Sequence, residues 1–170
     1  MAQPETPAPS TRSDHGCFGC GDQNPCGLRL VFAQTDDGVR ASFTPRPQDQ
    51  GFLGVVHGGI VSMMLDEAMA RAAFTQGIWA VTGKLDVRFR QPVEVGVEVL
   101  VVGRVLAHRG RLVDASREIR RGIDDELLAQ ATGLFVRVPE AWARAWEERY
   151  LLPRDDDLGA RFPDRTEHVR

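Results

Sequence analysis

The chain has 170 residues, 42% apolar and 26% charged, with a net charge of −3. This is ordinary globular composition, long enough for one domain with a substantial core. The weak negative charge gives no general attraction to nucleic acid or anionic membranes, and no apolar run approaches the roughly 20 residues of a membrane span.

The first fourteen residues are rich in Pro, Ser, Thr and Ala and are expected to be a flexible arm. They lack a basic-then-apolar leader pattern, so a cytoplasmic location is expected. A domain over residues 15–138 opens with a cysteine-containing turn, residues 15–27. Three cysteines do not make a closed disulfide framework. His15, Cys17, Cys20 and Cys26 are zinc-ligand types, but they fall within twelve residues, and structural zinc sites usually draw ligands from two separated knuckles. The expectation is a tight turn whose small thiols pack beneath the sheet, with no metal assigned.

Strands are expected over Leu28–Ala33 and Val39–Thr44, joined by the Asp36-Asp37-Gly38 turn. Residues 45–56, with two prolines and two glycines, read as a loop over a helix entrance. The helix is expected from Gly58 to Gln76, with Gly77 as its stop. Val61, Leu65, Ala68 and Ala72 follow helical spacing, and Ile60 and Met64 widen the stripe, so the helix should be largely buried. Leu85, Val87 and Phe89 alternate with Asp86, Arg88 and Arg90, which marks a half-buried strand ending near Pro92. Val97–Leu106 is apolar on both faces and should be central. Leu112–Arg120 and Leu127–Val138 complete the strands. A short helix over residues 140–150, within a segment 139–152, carries Trp142 and Trp146 at i,i+4 spacing. The charged tail 153–170 is expected to be mobile.

The helix entrance carries the chemistry. Two glycines after His57 let a ligand approach free backbone N–H groups at the positive end of the helix dipole. Asp66 has Ser62, Met63, Met69 and Ala70 at helical neighbour positions, so no cation on its own helix pairs with it. A carboxylate in such a setting tends to have a perturbed pKa. Glu67, by contrast, has Arg71 at i+4 and reads as an exposed ion pair. Nine residues separate His57 from Asp66, about 13 Å of rise and about 180° of turn. One helix cannot bring both to the same carbonyl, whereas two antiparallel copies can.

Two strands, one buried helix and four strands imply a curved antiparallel sheet wrapped around that helix, an α+β architecture. It resembles the hotdog fold. Gly54-Val-Val-His57-Gly58-Gly59, with Asp66 nine residues on in Leu-Asp-Glu-Ala, is similar to the PaaI-like branch of acyl-CoA thioesterases. So are the segment Leu85-Asp-Val-Arg-Phe-Arg-Gln-Pro92 and the opening Cys17-Phe-Gly-Cys20-Gly-Asp-Gln-Asn24-Pro25. The resemblance covers roughly residues 17–138. It implies hydrolysis of an acyl-CoA thioester without a cofactor, by an obligate homodimer or a homotetramer with composite sites. Asp66 would be general base or nucleophile, and the Gly58 N–H, with Gly59, the carbonyl clamp. His57 would support the turn, Thr82 would stand where relatives place a hydroxyl, and Gln50 or Asp49 would help hold the carbonyl. Phe52, Met63, Met69 and Phe74 are candidate acyl-pocket residues. Arg88, Arg90, Arg109, Arg111, Arg117, Arg120 and Arg121 are candidate contacts for coenzyme A phosphates. A non-catalytic acyl-CoA or acyl-carrier binding module and a hotdog hydratase or dehydratase remain alternatives.

Overall fold

A computed structural model describes residues 14–150; the expected arm before them and the charged tail after them lie outside the described residues. In chain order the elements are β1 (Ala33–Thr35), β2 (Gly38–Phe43), a single 3-10 turn (Pro47–Asp49), β3 (Gln50–Phe52), β4 (Val55–Val56), α1 (Gly58–Phe74), β5 (Ala80–Phe89), β6 (Val99–Arg109), β7 (Leu112–Arg121), β8 (Leu127–Arg137) and α2 (Glu140–Tyr150). The main sheet is antiparallel in the order β1-β2-β6-β7-β8-β5. One face of it packs on α1. This is the hotdog arrangement the motifs implied, with β6 internal as its two apolar faces required.

Alternation decides what meets the helix. Val39 and Ala41 of β2, Val99 and Val101 of β6, Val113, Ala115 and Ile119 of β7, and Ala129 and Phe135 of β8 are buried. They meet Val61, Met64, Leu65, Ala68, Met69 and Ala72 of α1. Each larger side chain buried this way contributes about 1.5–3 kcal/mol. The helix backbone lies close on β6, since a Cβ at Gly103 would stand 2.3 Å from the Ala68 carbonyl oxygen. Only a residue without a side chain permits that approach.

Of the expected strand over Leu28–Ala33, only Ala33 enters the sheet, as the first residue of β1. Leu28, Leu30 and Phe32 are buried as their alternation implies, but the Leu28 and Leu30 N–H groups donate to Phe18 O and Gly19 O of the cysteine turn. Arg29 sits at φ 56°, which breaks extended pairing. The expected loop over residues 45–56 contains the small β3–β4 hairpin, turned at Gly54 with φ 77°. β5 begins at Ala80, five residues before the alternation becomes visible, because the register shifts between Thr82 and Lys84. α2 packs beside the C-terminal end of α1. Trp146 lies edge-on to Trp79, with centroids 5.9 Å apart, and the Trp79 indole N–H donates to Glu147 Oε1 at 3.0 Å. α2 is therefore remote from the helix entrance.

Candidate active site

α1 starts where His57, in extended backbone geometry, hands over to Gly58. The His57 Nδ1 accepts the Gly59 N–H at 2.9 Å. The imidazole is thus an N-cap, the supporting role expected of it. That bond also uses the Gly59 donor. The Gly58 N–H has no acceptor among the described residues, so Gly58 carries the open donor at the positive helix end. The Phe89 ring lies beside it: a Cβ on Gly58 would be 3.5 Å from the ring.

Asp66 is half-buried on α1, as are Met63 and Ser62. Its Oδ1 accepts from the Thr82 hydroxyl at 2.7 Å. The irregularity at Gly83 makes this contact possible. In the ladder Thr82 opposes the buried Phe135, whereas an unbroken register would turn its hydroxyl to the other face. Burial raises the Asp66 carboxyl above its ordinary value. The Thr82 hydrogen bond and the Arg117 charge pull it partly back, and Glu67 pushes it further up.

Arg117 went unrecognised in the sequence as a neighbour of this carboxylate. It is 3% exposed, beneath α1, and donates through Nη1 to the Leu65 carbonyl. Its Nε and Nη2 have no hydrogen-bond partner among the described residues, and burial lowers its pKa to about 9. The signal was present: Val113, Ala115, Arg117 and Ile119 occupy alternate positions of β7, so Arg117 falls on the inward face. It is not an exposed phosphate contact. Arg120 pairs with Glu118 and Asp125, Arg121 with Asp124 and Glu126, and Arg109 with Asp114.

The remaining site expectations divide. Gln50 is exposed beside the entrance, and its Oε1 accepts the Gly54 N–H at 3.3 Å. Asp49 is 2% exposed and engaged: it accepts from the Arg46 backbone N–H and guanidinium, so it does not reach the site. Phe52 is 86% exposed at the hairpin beside the entrance, whereas Met63 is partly buried against the core. Met69 is fully buried in the core, and Phe74 packs on Trp79 with centroids 4.8 Å apart, so neither lines it. Glu67 does pair with Arg71, at 3.2 Å, but the cysteine turn covers the pair. Cys26 is exposed and does not pack beneath the sheet.

The family model described as the thioesterase superfamily matches residues 53–128. Acyl-coenzyme A thioesterase THEM4 of Xenopus laevis is 31% identical over 119 residues, covering 69% of this chain and 54% of that protein. The chain spans about half the length of the curated relatives it matches. The crystal structure of RHA08564, a thioesterase superfamily protein, superposes with a TM-score of 0.67 at 26% identity, covering 71% of this chain and 62% of that one. The PaaI protein of E. coli, from a phenylacetic acid degradation operon, superposes with a TM-score of 0.61 at 22% identity, covering 65% and 84%.

Proposed function

We propose that this chain, which matches the thioesterase superfamily model over residues 53–128 and has the hotdog fold, hydrolyses acyl-CoA thioesters to a free acid and coenzyme A. Asp66 takes a proton from water, and the resulting hydroxide attacks the thioester carbon. The carbonyl oxygen, as it becomes negative, is held by the Gly58 N–H at the helix terminus. The C–S bond then breaks, and the departing thiolate receives the proton from Asp66. Direct attack by the carboxylate, giving an anhydride that water opens, is the variant of the same site.

The observation that carries this reading is the half-buried Asp66 carboxylate, oriented by Thr82 at 2.7 Å on the helix whose first turn presents the open Gly58 N–H. His57 does not offer Nδ1 to a substrate, because that atom holds Gly59, which disfavours hydration chemistry centred on it.

The site is completed in a homodimer, or in a tetramer of such dimers. β5 is an edge strand of ten residues. Around it and the helix entrance, Phe52, Leu53, Val81 and Phe89 are 86%, 94%, 46% and 55% exposed. An apolar edge of this size invites a second copy, and a twofold pairing would oppose one chain's Asp66 to its partner's Gly58. No helix among the described residues is long and apolar enough to cross a membrane, and the three free cysteines suit a reducing cytoplasm.

The test is turnover of phenylacetyl-, hydroxybenzoyl-, hexanoyl- and palmitoyl-CoA by wild type and Asp66→Asn, with the released thiol measured. Turnover falling by about 10²-fold or more in the variant supports the reading. Unchanged turnover in the variant removes Asp66 from the mechanism, and binding without turnover on every thioester removes the enzyme.

A further inference from the structure

The cysteine turn and the half-buried Glu67 of α1 form a second constellation. One ligand atom from each of Cys17, Cys20 and Glu67 lies within 4.8 Å of the other two. Cys17 Sγ is 3.7 Å from Glu67 Oε2. Arg71 donates to Glu67 Oε1 at 3.2 Å and to Cys20 Sγ at 2.8 Å. Oε2 is therefore left to face the sulfurs. We propose that Cys17, Cys20 and Glu67 bind a borderline-soft divalent cation of the Zn²⁺ class, with solvent as the fourth ligand.

Three independent features support the site. The turn Cys17-Phe18-Gly19-Cys20-Gly21 is closed by the Gly21 N–H donating to the Cys17 carbonyl at 3.0 Å. It brings both sulfurs to one side, within 4.8 Å of each other. The glycines are imposed by close approach: a Cβ at Gly19 would meet Glu67 Oε2 at 2.5 Å, and one at Gly21 would meet the His15 carbonyl oxygen at 2.0 Å. The turn is thus shaped to receive this carboxylate. Charge supplies the third feature. Two thiolates and a carboxylate carry three negative charges, Arg71 offsets one, and a divalent ion offsets the other two. Binding releases the thiol protons to solvent and changes no oxidation state.

The ligand set is not the one the sequence spacing suggests. Cys26 is exposed and its N–H is held by Asn24 Oδ1 at 3.0 Å. His15 packs edge-on against Tyr150 with centroids 5.1 Å apart, and its Nδ1 accepts the Cys17 N–H at 3.3 Å. His15 therefore positions the turn. The second half of the site comes from α1, fifty residues away from Cys17. The ion would tie the N-terminal turn to the helix at the residue next to Asp66, as a structural clip.

The test uses full-length protein purified without a polyhistidine tag. Elemental analysis is expected to give about one Zn²⁺ per chain. Co²⁺ added to chelator-stripped protein should give the near-ultraviolet thiolate-to-cobalt absorption. Cys17→Ser and Cys20→Ser should abolish that absorption, Glu67→Gln should weaken Co²⁺ binding at least about 10-fold, and Cys26→Ser should leave it intact. Absence of Zn²⁺ together with no thiolate absorption under excess Co²⁺ overturns the site without any variant. Full-strength binding by Glu67→Gln or Cys17→Ser overturns it as well.

Discussion

Asp66 sits where opposing influences on one carboxyl are separable. Burial raises its pKa, so its protonated form favours the fold below the ordinary value of 3.8, and that advantage is lost as pH rises through the folded value. Ionised Asp66 therefore costs stability at neutral pH. Asp66→Asn is expected to melt above wild type at pH 7, with the two converging in acid, as read by thermal unfolding across pH. Activity runs the other way, because a base or nucleophile needs the ionised form. The acid limb of kcat/KM is expected to move to higher pH in Thr82→Val and in Arg117→Met, since each removes a group that lowers the Asp66 pKa. An unmoved limb in both would detach Asp66 from the profile. The sequence made Asp66 legible through the absence of a cation on its own helix face. It hid the half-buried setting of the Glu67 pair, because helical spacing reveals the Arg71 partner but not a turn fifty residues earlier.

The elements were legible where one periodicity governed them. α1 and β6 to β8 fall within a few residues of their expected bounds, since each buries one face continuously. The exceptions all involve contacts between segments. Leu28, Leu30 and Phe32 alternate like a strand, yet they satisfy their backbone in the cysteine turn. The start of β5 is obscured by the same irregularity that delivers Thr82 to Asp66. Close approach of α1 to β6 gives a direct check: Gly103→Ala is expected to destabilise by about 1–3 kcal/mol in denaturant unfolding, because backbone rather than a flexible side-chain end blocks the added methyl. α2 depends on Trp79. Trp79→Ala is expected to accelerate hydrogen exchange over residues 140–150 by roughly 10-fold or more, with α1 protection unchanged. Equal acceleration in α1 would mean that the two helices form one cooperative unit.

At the scale of the whole molecule, one chain holds half of each expected site. The Gly58 donor and the Asp66 carboxylate lie on one helix, eight residues and about 12 Å of rise apart, and the neighbouring edge strand β5 exposes the apolar Val81 and Phe89. Asp66→Asn removes the carboxylate. Gly58→Pro removes the N–H, and its ring is compatible with the first helical position and with His57 at φ −60°, ψ 133°. The most direct measurement is the thioesterase activity of heterodimers of these two inactive chains, co-expressed with different tags and purified through both. A site shared between chains leaves one of the two sites intact, with Asp66 and Gly58 both native, so about half of the wild-type turnover per dimer is expected. A heterodimer as inactive as either parent would place both groups of a site within one chain and contradict the composite assignment.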